Sequence, residues 1–160
     1  MSTDERVVSL SSSNSNTGMI KRELVDRITN KNKPRLIRLY PKNKDDIENK
    51  LNLLEEYLYK NVPEIAFLGI GQDGHTAGIF EEQTTKNNCY LVKNLSDPFY
   101  RITISMNVLT RIPHLIFFVL GSNKKKSLGK ILFNKNNKIF LPVRFLLKNG
   151  LGEKIILCDR

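Results

Sequence analysis

Ile65-Ala66-Phe67-Leu68-Gly69-Ile70-Gly71-Gln72-Asp73-Gly74-His75-Thr76 is an apolar run that stops in a turn built on three glycines. A short apolar run ending at glycine predicts a buried strand rather than a helix. Glycine also lets the backbone take positive φ and lets another molecule approach closely. Asp73 and His75 then lie just past the carboxyl end of a strand, where open α/β sheets bind ligands. His75 is one of only two histidines in the chain, so this turn is the first place to look for chemistry.

Outward from the turn, His114 to Leu120 (His-Leu-Ile-Phe-Phe-Val-Leu) is a second apolar strand that again ends at a glycine, Gly121. The clearest helix runs from Lys44 to Lys60, with Ile47, Leu51, Leu54 and Leu58 on one stripe. Residues 16–28 predict an amphipathic helix through Met19, Ile20, Leu24 and Ile28, capped by Asn14 or Ser15. Shorter helices are expected over Met106 to Ile112 and Lys124 to Phe133 (Leu128, Ile131 and Leu132 inward), and a short helix or turn over Pro142 to Lys148. Cys89 to Val92, Tyr100 to Ser105 and Lys154 to Cys158 read as further strands, and Arg35 to Tyr40 as a short strand or an extended connection. Two apolar strands, each flanked by helical patterns, predict one α/β domain over residues 1–160. Its form is three-layer and Rossmann-like, a mostly parallel sheet with helices on both faces.

A chain of 160 residues, 40% apolar and 26% charged, has room for one domain with a real core. It contains no run approaching the roughly eighteen apolar residues of a membrane span, and no secretory signal pattern at Met1. Cys89 and Cys158 lack metal-type spacing and are too few for a disulfide framework, which points to a reducing cytoplasm. The net charge of +10 invites a polyanionic partner. The lysines, however, are dispersed among asparagines, as in Asn30 to Lys33, Lys42 to Lys44 and Asn134 to Lys138. Nucleic-acid binding therefore ranks below a phosphate-bearing small substrate, and an enzyme ranks above both.

The glycine turn has three readings. Gly69-Ile70-Gly71-Gln72-Asp73-Gly74 satisfies the spacing of a dinucleotide fingerprint, which needs a helix at its third glycine and an acidic residue about twenty positions on. Here a histidine follows at once, Glu81 and Glu82 come too early, and Asp97 precedes a proline. An aspartate inside the loop would also face pyrophosphate with the wrong sign. The second reading is a tight turn in which His75 merely satisfies a hydrogen bond. Against it, Asp73 stands two residues from His75 at a strand's end, where a carboxylate can orient an imidazole.

The third reading is a resemblance. Gly69 to Ala77 resembles the signature of the 6-phosphogluconolactonases, within the broader glucosamine/galactosamine-6-phosphate isomerase family. Asp4-Glu5-Arg6-Val7-Val8 with Asn14-Ser15-Asn16 and Met19, then Arg101 to Ser105, Phe117 to Lys124, and Leu141-Pro142-Val143 resemble further family segments in the family's order. The continuation Thr76-Ala77-Gly78-Ile79-Phe80 is similar to that of the lactonases; the amino-sugar deaminases carry an Asn-Glu pair soon after the histidine.

The resemblance implies hydrolysis of 6-phosphoglucono-δ-lactone in the pentose phosphate pathway, with no metal and no cofactor. His75 is implied as general base and then proton donor, since histidine ordinarily titrates near neutrality. Asp73 would orient it, and Arg6 would polarise the substrate. Arg101 and Lys124 would bind the phosphate, with Lys125 or Lys126 as offsets of Lys124. Gly69, Gly71 and Gly74 would supply the loop backbone. Read alone, each cation is ordinary surface charge among 26 lysines and arginines. The family's Gly-Gly-Ser/Thr-Pro phosphate loop has no counterpart in the sequence. The resemblance thus implies a sheet without its N-terminal strands, covered by a homo-oligomer or a partner chain, and feeble activity for the isolated chain. The alternatives are a non-catalytic remnant or binding module of the same fold, and a glucosamine-6-phosphate isomerase/deaminase.

Overall fold

Among the described residues six strands divide between two sheets, and the turn after Gly69 lies where the two come together. The computed structural model describes residues 1–40, 46–133 and 140–159. The parallel sheet holds β2 (Ile65–Gly69), β5 (His114–Val119) and β6 (Glu153–Cys158) in the order β2-β5-β6. The antiparallel sheet holds β1 (Asp4–Arg6), β4 (Tyr100–Ile104) and β3 (Cys89–Lys93) in the order β1-β4-β3. The helices are α1 (Asn16–Ile20), α2 (Ile47–Lys60), α3 (Met106–Leu109), α4 (Ser122–Phe133) and α5 (Pro142–Asn149), and a single π-helical turn, Lys21–Val25, continues α1.

The α/β class and the parallel pairing of the two apolar strands are as the sequence predicts: Ile65 stands opposite His114 and Gly69 opposite Phe118. The antiparallel sheet is the departure. Its strands are short and mixed in polarity, so they carry no signal separating them from the edge of a single larger sheet.

β2 is not buried on both faces. Ala66 and Leu68 point into the core with Leu115, Phe117 and Val119, whereas Ile65 is 46% exposed and Phe67 58% exposed. Phe67 stacks on Phe118 with ring centroids 5.9 Å apart, on the same bare face. Helices α3, α4 and α5 pack together and α4 packs on β5. Among the described residues only α1 and its π-helical continuation border the bare face, through Met19, Ile20 and Leu24. Among the described residues, of the two expected helical layers the core-side one covers the parallel sheet, and the other face is only bordered by α1.

Other expectations shift locally. The helix expected over 16–28 is broken, and Met19 and Leu24 remain exposed. Its N-terminus, not its apolar stripe, is what the fold buries. Ser15 caps it, its hydroxyl accepting from the Gly18 N–H at 2.8 Å. Arg35 to Tyr40 forms no strand; it is an extended connection that buries Leu39 and Tyr40. Leu132 is 39% exposed while Leu128 and Ile131 are buried. The expected start of the long helix at Lys44, Lys42 to Lys44 as a group, and Asn134 to Lys138 lie outside the described residues. No helix among the described residues is long and apolar enough to cross a membrane.

Candidate active site

The turn after β2 closes on itself through the Gly71 N–H, which donates to the His75 carbonyl at 2.9 Å, and the Gly74 N–H, which donates to the Gly71 carbonyl at 3.1 Å. Gly74 sits at φ +86°, a conformation open to glycine at little cost. Gly71 is needed for another reason. A Cβ there would lie 2.1 Å from His75 Nδ1 and 2.6 Å from an Asp73 carboxylate oxygen. Gly69 has open space around it, so no steric demand fixes a glycine at that position. No helix opens at Gly74. The structural condition of the dinucleotide reading is therefore unmet.

Asp73 Oδ1 accepts two hydrogen bonds from His75, from the backbone N–H at 3.2 Å and from ring Nδ1 at 2.5 Å. Partial burial works to raise the Asp73 pKa, but the hydrogen bonds and charge of His75 outweigh it and hold the carboxyl below its ordinary range. An ionised Asp73 can only accept, so Nδ1 carries the proton and Nε2 is left as the basic nitrogen.

After His75 the chain turns back through the bridge between Thr76 and Ile79. The Gly78 N–H donates to Thr103 Oγ1 at 3.0 Å. The loop from the parallel sheet is thereby pinned to β4 of the antiparallel one. The β4 face beneath it carries Arg101, whose guanidinium donates to Asp4 Oδ2 at 2.7 Å and, through Nε and Nη2, to Asp97. Arg6 lies directly opposite Arg101 in the β1–β4 ladder. It donates to the Asn14 carbonyl at 3.0 Å, and its Nε stands 4.0 Å from Asp97. Lys124, in the first turn of α4, donates through Nζ to the Ile70 carbonyl.

Two cavities meet at His75. One, of about 380 Å³, is lined by Gly69, Gly71, His75, Arg101 and Lys124 among others. The other, of about 450 Å³, is lined by Arg6, His75, Phe80, Asp97 and Arg101 among others. Arg6, His75, Arg101 and Lys124 therefore each line one cavity or the other, and Asp73 holds the histidine they share. Arg101 is already engaged by two carboxylates; Arg6 and Lys124 are bound chiefly by backbone carbonyls. Lys125 faces away, to Asp159 at 3.3 Å.

Sequence reasoning passed over Asp4, Asp97, Phe80 and Thr103. Asp97 enters the sequence reading only as a late acidic candidate for the dinucleotide fingerprint, in a turn before proline. Asp4 and Thr103 gain their roles from strand register, which one sequence does not display.

The family model described as glucosamine-6-phosphate isomerases/6-phosphogluconolactonase matches residues 1–156. A 6-phosphogluconolactonase of Helicobacter pylori is 32% identical over 149 residues, 90% of this chain and 64% of that protein. The protein named 6-phosphogluconolactonase 3 of Saccharomyces cerevisiae is 30% identical over 165 residues, 94% of this chain and 64% of its own. The solved 6-phosphogluconolactonase of Thermotoga maritima is 26% identical and superposes with a TM-score of 0.80, covering 99% of this chain and 71% of that one. A monomeric glucosamine-6-phosphate deaminase superposes with a TM-score of 0.79 at 22% identity, a likeness of fold. The chain thus spans 64% of the length of each of these two curated relatives.

Proposed function

The chain belongs to the family of glucosamine-6-phosphate isomerases and 6-phosphogluconolactonases, and we propose that it hydrolyses 6-phosphoglucono-δ-lactone to 6-phosphogluconate. One observation carries the reading: an Asp73–His75 pair at the end of β2 opens onto cavities lined by Arg6, Arg101 and Lys124. A base beside a cluster of cations is what a lactone carrying an anionic phosphate requires.

In this reading His75 Nε2 takes a proton from water as the water oxygen attacks the lactone carbonyl. A tetrahedral intermediate forms, and the imidazolium is stabilised by the Asp73 carboxylate. As the bond from that carbon to the ring oxygen breaks, the imidazolium returns the proton to the departing oxygen. The product carboxylic acid then ionises in solvent. Lys124 and Arg6 supply the charge for the phosphate and the developing oxyanion. Arg101, held between Asp4 and Asp97, contributes a fixed cation at the cavity wall. No step calls for a metal or a cofactor.

The assay is lactone hydrolysis against the spontaneous rate, with His75→Ala alongside. Hydrolysis above background that the variant loses supports the reading. Equal rates at the spontaneous level sink it and leave a binding module of the same fold. Ammonia release from glucosamine 6-phosphate would instead move the chain to the deaminase branch.

We further infer that the bare face around Ile65, Phe67 and Phe118 is covered in the working protein by polypeptide equivalent to the part of the relatives that has no counterpart here. That additional chain must rest on some surface of the shared body, and an apolar sheet face beside an unpaired edge of β2 is suited to take it. In sedimentation, a monomer that binds an apolar dye, with the dye lost in Phe67→Lys, is expected. A concentration-dependent dimer broken by Phe67→Lys would put a second copy there instead.

A further inference from the structure

The backbone of His75 is held by the Gly71 N–H and by Asp73, but its ring makes a single hydrogen bond, from Nδ1 to Asp73 Oδ1, and the Asp73 side chain is 62% exposed. One hydrogen bond at Nδ1 leaves the ring free to swing about that contact, carrying Nε2 with it. A second constraint on the ring is needed to fix it.

Phe80 is placed to provide it. Its ring centroid lies 4.8 Å from that of His75, tilted by 46°, within the range of favourable aromatic contacts. The Arg101 guanidinium carbon lies 5.9 Å from the Phe80 ring centre, at the outer limit of a cation–π contact. Arg101 is itself clamped by Asp4 and Asp97, and the 76–79 turn leading to Phe80 is tied to Thr103. A continuous brace therefore runs from the β1–β4 ladder through Arg101 and Phe80 to the imidazole.

We propose that Phe80 is a positioning residue that holds the His75 imidazole in its reactive orientation by packing between it and the clamped Arg101. Phe80 donates and accepts no proton. It acts on the reaction only through the ring it steadies, and the proposal's kinetic consequence rests on the lactonase reading above.

The test compares Phe80→Leu with Phe80→Tyr in the full chain. With two histidines in the sequence, the His75 ring protons are resolvable by NMR, and His114, paired with Glu153 at 3.2 Å, reports whether the fold is intact. In Phe80→Leu the His75 ring resonances should shift as the ring current is lost, while those of His114 stay in place. kcat should fall roughly tenfold, as loss of orientation predicts, with KM little changed. Phe80→Tyr should restore both the resonance positions and kcat. Unmoved His75 resonances in Phe80→Leu overturn the proposal, as does a loss confined to KM, or an equal loss of kcat in the leucine and tyrosine variants. If the wild-type chain does not hydrolyse the lactone, the lactonase reading fails by itself, and broadened or doubled His75 ring resonances in Phe80→Leu, or their absence, still decide whether Phe80 holds the ring.

Discussion

Arg6 and Arg101 face each other across the β1–β4 ladder, two guanidinium groups at directly opposed positions. Like charges so placed repel, and the fold answers with carboxylates. Asp97 binds Arg101 and stands 4.0 Å from Arg6, and Asp4 takes the far side of Arg101. The four charges balance. On the proposed lactonase reading, an incoming phosphate would compete with Asp97 for a cation pair already assembled. The placement links the register of two short strands directly to the chemistry at the end of a third.

Asp97→Asn tests that balance. Burial works to raise the Asp97 pKa, but the Phe99 N–H and the two arginines prevail and hold it below the ordinary range. A carboxyl with a depressed native pKa stabilises the fold fully above its unfolded value, about 3.9, and loses that contribution as pH falls through the native one. The variant should therefore lose about 1–2 kcal/mol near neutrality, between the scales for an exposed and a buried pair. Its thermal midpoint should also fall less steeply in acid than the wild type's. Parallel acid limbs in the two melting series would mean that Asp97 is not the group that matters.

Gly71→Ala and Gly69→Ala should separate cleanly. The first drives a methyl group into His75 and Asp73, whereas the second meets open space. A displaced base predicts a kcat loss of about a hundredfold for Gly71→Ala, with near-wild-type activity for Gly69→Ala. Steady-state kinetics on both, with melting curves to confirm folding, gives the comparison. Similar activities would show that the turn adapts around the new methyl.

Asp73→Asn keeps the shape of the carboxylate but removes its charge. The amide can present either its carbonyl or its NH2 to Nδ1, so the tautomer with Nε2 as base is no longer enforced. kcat should fall by about two to four orders of magnitude, the range for general-base catalysis, with a much smaller change in KM. Asp73 is held below the ordinary carboxylate range, so in the wild type this support persists on acidification until pH drops through that lowered value. A pH–rate series on both proteins, read for kcat, checks the assignment.

Much of the fold is legible because it rests on local patterns. The apolar runs at Ile65 and His114, the stripe of α2 and the glycine turn each state their structure within a dozen residues. The Asp73–His75 pair is legible for the same reason, since its members are two residues apart. What stays hidden depends on register or on the opposite face. Nothing local says that Arg6 will oppose Arg101, that Thr103 will take the Gly78 N–H, or that Phe80 will sit between a histidine and an arginine. The alternation of β2 was also open to misreading: Phe67 and Leu68 are both apolar, and only the packing decides which of them faces the core.

Glu5 is the residue whose importance the sequence concealed most. Adjacent to two other charged residues, it reads as surface, yet it is 2% exposed. Its carboxylate accepts from the Arg6 N–H at 2.8 Å, the Asn16 N–H at 2.9 Å, the Thr17 N–H at 2.6 Å and the Ser15 hydroxyl at 3.0 Å. It thereby ties β1 to the N-terminus of α1, where unpaired N–H groups favour an anion. The same arrangement brings the Asn14 carbonyl to Arg6. Glu5→Gln would put an NH2 donor among donors. It should cost about 3 kcal/mol, the upper end for a buried group left without its partner, and free Arg6 from its fixed position. Denaturant unfolding should show the loss of stability. Lactone kinetics should show KM rising and kcat falling together, because in the proposed reading Arg6 serves both the phosphate and the developing oxyanion. A stable variant with unchanged KM would mean that β1 and Arg6 are held in place without Glu5.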